Sequence, residues 1–182
     1  MKPSPKQLQL TGGGRKEDRR PLDFYPTPPE VTIALMEFLK LEPMTIWGPA
    51  CGNGAMSDVL KDYGHIVIET DLITGSDYLH TSIISDAIIT NPPFNQSAAF
   101  IEKAVGEAHL VAMLLKSQYW HAKSRYELFN KYIPSYILPL TWRPDFLYQE
   151  RDKPGSPTLE MIWTVWITGN TDAKYIPLKR PQ

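Results

Sequence analysis

Two consecutive prolines follow the apolar run Ala87-Ile88-Ile89-Thr90, and they decide where that segment must end. Proline has no backbone N–H to give to a sheet and its ring fixes φ, so the run reads as a buried strand that stops at Thr90. The turn Asn91-Pro92-Pro93-Phe94 comes next, then a helix over residues 97–105. The turn also carries chemistry. Pro92 and Pro93 present carbonyl acceptors with no competing donors, and Asn91 adds a side-chain carbonyl. An amino group conjugated to a ring or carbonyl is a poor nucleophile, because its lone pair is delocalised. Two acceptors drawing on its hydrogens rehybridise it toward attack, with Phe94 stacking on the flat substrate. An Asn-Pro pair after a strand is equally common as plain loop punctuation.

The alternation of strand and helix runs through the chain. Thr27-Pro28-Pro29-Glu30 has the form of a capping box with proline at the first helical position, and Val31, Ala34, Leu35, Phe38 and Leu39 supply an apolar face at helical spacing. Met44 to Trp47 reads as a strand, followed by a glycine-rich turn at 48–54, a helix through Leu60 that stops near Gly64, and a strand at Ile66-Val67-Ile68. Further strands are expected at 110–115, 136–140 and 161–167. This order predicts an α/β fold with a mostly parallel central sheet, helices on both faces and an antiparallel strand near the C-terminus. Ligands of such sheets bind at the carboxyl ends of the strands, where the unusual residues of this chain fall.

With 182 residues the expected organisation is a flexible basic arm over 1–20, one domain over 21–170 and a tail over 171–182, in which Tyr175, Ile176 and Leu178 are able to pack. Cys51 is the only cysteine, which excludes an internal disulfide and a cysteine-built zinc site, and the four histidines show no ligand spacing; no metal is implied. No run of about eighteen apolar residues occurs, so a membrane span is not expected and a cytoplasmic location is. The formal net charge of −1 hides a segregation: residues 1–20 carry six basic and two acidic side chains, 21–114 three and twelve, 115–153 seven and four. The acidic stretch suits a cationic cofactor and the basic segments suit phosphates, unless they are solvated surface.

Pro49-Ala50-Cys51-Gly52-Asn53-Gly54 follows a strand and opens a helix, where glycines let the backbone approach a ligand and free N–H groups are on offer. Ser57 stands where a dinucleotide fingerprint needs its third glycine, so pyrophosphate binding loses support. Asp71, at the end of the next strand, is placed to take both ribose hydroxyls of an adenosine-containing cofactor. Asp77 either accepts from an adenine amino group or caps Tyr78 and the turn after it.

Together these residues resemble the amino-methyltransferases that use S-adenosylmethionine, and most closely the small phage or prophage DNA N6-adenine methyltransferases, over about residues 22–168. The family's Tyr-Pro-Thr-Pro segment is matched by Tyr25, Pro26, Thr27 and Pro28, its Pro-x-Cys-Gly-x-Gly loop by 49–54, its acid after the second strand by Asp71, its Asp-aromatic-Leu turn by Asp77-Tyr78-Leu79 and its catalytic motif by Asn91, Pro92, Pro93 and Phe94. The resemblance implies a Rossmann-like methyltransferase fold and a site-specific, adenine-specific DNA methyltransferase. It implies catalysis at 91–94 and S-adenosylmethionine held by Tyr25, Thr27, Pro49, Cys51, Gly52, Gly54, Asp71, Asp77 and Asn91. In relatives an acid precedes the Pro of the glycine loop near the methionine end of the cofactor; this chain has Gly48, and Glu69 replaces it only if the loop geometry differs. RNA adenine, a protein glutamine amide and a catalytically degenerate binding module are the alternative readings. The expected partner is nucleic acid, DNA first, in a bacterial or phage-infected host. The matched segment has no insertion for target recognition, which would fall to short loops, a homodimer or a partner chain. Trp120, Lys123, Arg125, Trp142, Arg143 and Phe146 mix aromatic and basic side chains as stacking and phosphate contacts require, unless the aromatics are core.

Overall fold

The computed structural model describes residues 25–150 and 155–182; the expected arm at 1–20 lies outside the described residues. Helix α1 spans Pro29–Leu39, strand β1 Thr45–Gly48, α2 Ala55–Asp62, β2 Ile66–Glu69, β3 Ala87–Thr90, α3 Ser97–Glu107, β4 Leu110–Lys116, α4 Arg125–Lys131, β5 Tyr136–Pro139, β6 Met161–Ile167 and β7 Lys174–Tyr175. The seven strands form one sheet in the order β2-β1-β3-β4-β6-β5-β7. Strands β2, β1, β3 and β4 run parallel, whereas β6 is antiparallel to both neighbours, β4 and β5. This is the Rossmann-like α/β architecture expected from the sequence, mostly parallel with a reversed strand near the C-terminus.

The near-continuous apolar strands follow from a sheet covered on both faces. In β4, Leu110, Ala112 and Leu114 point to a core shared with Val31, Leu35 and Leu60 of α1 and α2. The alternate residues Val111, Met113 and Leu115 meet Phe100, Ile101 and Ala104 of α3 and Leu128 of α4. Trp163 of β6 is fully buried, and its indole N–H donates to the Val31 carbonyl at 3.0 Å, tying the reversed strand to α1.

Some local expectations needed correction. Proline does begin α1, but the helix has no side-chain cap, and the Thr27 hydroxyl is engaged elsewhere. Glu30 closes no box; it pairs with Arg180 at 3.2 Å. Residues 171–182 do more than trail: β7 pairs in parallel with β5, and Leu178 is buried and bridges Leu140. The short helix α4 went unread, its seven residues being too few for a periodic signal. Among the described residues no helix is long and apolar enough to cross a membrane.

Candidate active site

The carboxyl ends of β1, β2 and β3 open into a cleft walled by the segment before α1, the glycine loop, the residues after β2 and the turn after β3. The geometry starts from backbone. At the end of β1, the Gly48 carbonyl accepts from Thr70 N at 3.1 Å, and the Thr70 carbonyl accepts from Cys51 N at 3.2 Å. The Trp47 indole N–H donates to the Thr70 hydroxyl at 2.8 Å. These bonds lace the ends of β1 and β2 together and hold the glycine loop against Asp71.

Asp71 is half-buried and organises the loop. Its Oδ2 accepts from Gly52 N at 2.8 Å and its Oδ1 from Ile73 N at 2.9 Å. A carboxylate has about four acceptor positions, so each oxygen keeps one for a ligand. The Gly52 N–H is thereby spent on Asp71. Leu72 and Ile73 follow on the cleft wall, 53% and 60% exposed, an apolar surface suited to a flat ring. Sequence reasoning passed over this pair, whose signal was an apolar doublet directly after the acid in a loop.

Tyr25, Thr27, Pro49, Cys51, Gly52, Asp71, Asp77, Asn91, Pro92, Pro93 and Phe94 all line this cleft. Gly54 does not. It caps α2 with φ +84°, and a Cβ there would lie 3.3 Å from Glu69 Oε1, so its part is to turn the chain. Glu69 is likewise not on the cleft wall and pairs with Lys61 at 3.1 Å, so it does not stand in for the acid missing at position 48. A Cβ on Gly48 would meet Ser57 Oγ at 3.7 Å and the Ile89 carbonyl at 3.8 Å, ordinary contacts that leave room for a side chain.

Asp77 takes the capping role. Its carboxylate accepts from Leu79 N at 3.0 Å and meets His80 Nδ1 at 2.9 Å, and the His80 contact, with the Leu79 N–H, holds its pKa below the usual carboxylate value. Tyr78 is buried against Trp47 and Phe100, with its hydroxyl aimed at Glu107; burial first, then that carboxylate, raises its pKa strongly. Burial, followed by the charges of Asp71 and Glu69, raises the pKa of the Cys51 thiol, which stays protonated and is a poor nucleophile.

At the turn after β3 the four residues divide their work. The Pro93 carbonyl is occupied, accepting from Gln96 N at 2.9 Å and the Ser97 hydroxyl at 3.2 Å, which starts α3. Both proline carbonyls were expected to be open; that of Pro93 is taken by the start of α3. The Asn91 amide nitrogen donates to the Thr27 hydroxyl at 3.2 Å, and its Oδ1 is buried without a partner. Thr90 Oγ1, beside it on the cleft wall, is also buried and unpartnered, and sequence reasoning gave no signal for it. Lys116 Nζ lies 3.8 Å from the centroid of the Phe94 ring.

No family model and no curated protein matches the chain by sequence. Solved structures do match in fold. A protein of Pyrococcus horikoshii assigned as an RNA methyltransferase is 16% identical at a TM-score of 0.53, covering 89% of this chain and 96% of its own. One of Listeria monocytogenes, assigned as a class I S-adenosylmethionine-dependent methyltransferase, is 11% identical at 0.56, over 95% of this chain and 69% of its own. A dimethyladenosine transferase of Plasmodium falciparum is 14% identical at 0.50, over 79% of this chain and 63% of its own. The fold that carries this cleft is therefore that of the class I methyltransferases, with the glycine loop, the acid after β2 and the Asn-Pro-Pro-Phe turn gathered at one end of its sheet.

Proposed function

We propose that this protein transfers a methyl group from S-adenosylmethionine to the exocyclic N6 amine of adenine in DNA, directly and in line, with no covalent enzyme intermediate. The observation that carries the reading is the Asn91 side-chain oxygen, buried and unpartnered at the cleft next to Pro92. A buried acceptor left unpaired costs about 1–3 kcal/mol, and a substrate amine relieves that cost.

The residues present fit the cofactor. Asp71 keeps acceptor positions for ribose hydroxyls, Leu72 and Ile73 offer an apolar face for a purine, and the loop from Pro49 to Gly52 forms the wall beyond them. When bound, S-adenosylmethionine supplies an electrophilic methyl on a sulfonium. The chain supplies position and polarity: Asn91 Oδ1 and the Pro92 carbonyl accept the two amine hydrogens and concentrate the nitrogen lone pair, while Thr27 anchors the Asn91 amide. Phe94 stacks on the base, which displaces the Lys116 ammonium from the ring. In a duplex the adenine must leave the stack to reach this turn.

RNA adenine is the second reading, favoured by neighbours whose names are RNA methyltransferase and dimethyladenosine transferase. The test is to incubate the protein with labelled S-adenosylmethionine and unmethylated DNA, RNA and a mixed protein extract, then digest and identify the product. N6-methyladenine in DNA supports the proposal, the same base in RNA moves it to the second reading, and a methylated glutamine amide overturns both.

A further inference from the structure

The six aromatic and basic residues singled out in the sequence separate into two unlike groups. Phe146 is buried at 3% exposure, and Trp142 packs against the core. Arg143 is neutralised by Glu160 at 2.6 Å. That patch is electrically balanced.

The other group lies on the connection from β4 to β5. It begins at the rim of the cleft, because Lys116, whose ammonium sits over Phe94, is followed directly by the 3₁₀ turn Ser117–His121. Trp120 stacks on Phe129 with centroids 3.9 Å apart and planes 4° from parallel, and the Arg125 guanidinium lies 4.2 Å from the Tyr119 ring centroid. These contacts clamp α4 to the turn. An open pocket is left between them, bounded by Trp120, Lys123, Arg125, Tyr126, Phe129 and Asn130.

Three features of this pocket point to a ligand. Trp120 Nε1 and Arg125 Nε, from two residues that line it, are buried without hydrogen-bond partners, and both are obligate donors. Among the described residues no carboxylate pairs with Lys123 or Arg125, whereas Lys61, Lys103, Arg143 and Arg180 each have one. Tyr126 is 75% exposed at the edge of the pocket. Unspent donors, unbalanced cations and the exposed Tyr126 ring together ask for a flat, acceptor-rich anion.

We propose that this pocket is a second nucleotide subsite, taking an unpaired base of the strand that carries the target, with the attached phosphate on Arg125 and Lys123. The proposal rests on the nucleic-acid reading of the cleft. A 3₁₀ turn rises about 2 Å per residue, so Trp120 is about 8 Å of chain from Lys116, or between two and three stacked nucleotide steps of about 3.4 Å. The subsite therefore grips a near neighbour of the base at Phe94, and it requires that neighbour to be unpaired, because a paired base hides its faces.

The experiment is fluorescence anisotropy of the full chain with short adenine-containing single strands of DNA and of RNA and with a blunt duplex, at two salt concentrations. Tyr126→Ala should weaken single-strand binding about tenfold, and Lys123→Gln should weaken it and lower the salt slope by about one. Arg125→Gln should do the same if the variant folds; the two exposed positions decide the matter if it does not. Calorimetric affinity for S-adenosylmethionine should be unchanged in all of them, and Arg143→Gln should bind as wild type. Wild-type affinity in Tyr126→Ala and Lys123→Gln, an equal loss in Arg143→Gln, or duplex bound as well as single strand would each overturn the subsite. If those variants bind normally while the protein still makes N6-methyladenine, the subsite alone falls. If the wild type binds neither DNA nor RNA and methylates a protein amide, the reading of the cleft falls with it.

Discussion

The Asn91 amide nitrogen donates to the Thr27 hydroxyl at 3.2 Å, across 64 positions of sequence, and this bond restrains the amide whose oxygen is the end left unpartnered. Turned over, Asn91 would offer a donor where the proposed chemistry needs an acceptor. Thr27→Val keeps the shape and removes that control. Turnover should fall about 100-fold, the usual scale for a reacting group set out of place, with cofactor affinity retained and activity largely restored in Thr27→Ser. Single-turnover methyl transfer beside calorimetry of cofactor binding reads both quantities. A Thr27→Val enzyme with normal turnover would remove Thr27 from the site.

Asp71 is expected to act on both the loop and the cofactor. Asp71→Ala deletes the acceptor for Gly52 N and Ile73 N together with the proposed ribose contacts, and hydrogen bonds to a charged group are each worth about 1.5–3 kcal/mol. Affinity for S-adenosylmethionine should drop at least tenfold, with Asp71→Asn intermediate because its amide keeps one acceptor oxygen. An unchanged dissociation constant in Asp71→Ala would take the residue out of the cofactor site.

Two glycines of the loop should respond oppositely to alanine. Gly54 has φ +84° and its added Cβ would lie 3.3 Å from Glu69 Oε1, so Gly54→Ala should cost about 1–2 kcal/mol. Gly48 has neither constraint, and Gly48→Ala should fold with stability within about 1 kcal/mol of wild type. Urea unfolding of both variants checks the contrast; equal losses would refute it.

Acid should destabilise the fold through His65. The residue is 5% exposed, burial lowers its pKa from 6.5, and its Nδ1 accepts from Met44 N at 3.3 Å, which requires the unprotonated ring. The unfolded chain takes up a proton near pH 6.5 while the folded one does not, so stability falls as the pH drops through that value. It levels off once the folded imidazole is also charged. His65→Gln should flatten this slope over about pH 5 to 7, where histidine changes charge. Thermal unfolding across that range is the measurement, and a wild-type slope in the variant would clear His65 of the effect.

Trp163 joins the reversed strand to the first helix. Trp163→Phe forfeits the bond to the Val31 carbonyl and part of a fully buried ring, and Trp163→Ala should cost about 3–5 kcal/mol. Denaturant midpoints of the two variants should fall in that order; a Trp163→Ala protein as stable as wild type would mean that the strand does not depend on this anchor.

Much of the architecture was legible because its signals are local. The proline pair ended β3 at Thr90, glycines marked the loop before α2, and apolar runs located β4 and β6. The gathering of Asp71 and Asn91 at one end of the sheet follows from parallel strands whose carboxyl ends lie on the same side. What escaped was set by distant partners. Thr27 looked like a helix cap from its neighbours, yet its hydroxyl is engaged by Asn91. The Pro93 carbonyl reads as available from its neighbours, yet it accepts from Gln96 N. The strand at Lys174–Tyr175 has two residues and little pattern, and it exists because β5 has an open side.

The reversed strand β6 also sets an order of events during synthesis. It pairs with Leu110–Lys116 on one side and Tyr136–Pro139 on the other, so both strands keep unpaired backbone edges until residues 161–167 have left the ribosome. Such edges template wrong pairings, and long-range pairings of this kind form late. The nascent chain is thus most exposed to misassembly in the interval before β6 arrives, and a chaperone that holds β4 and β5 apart from other chains would matter most there.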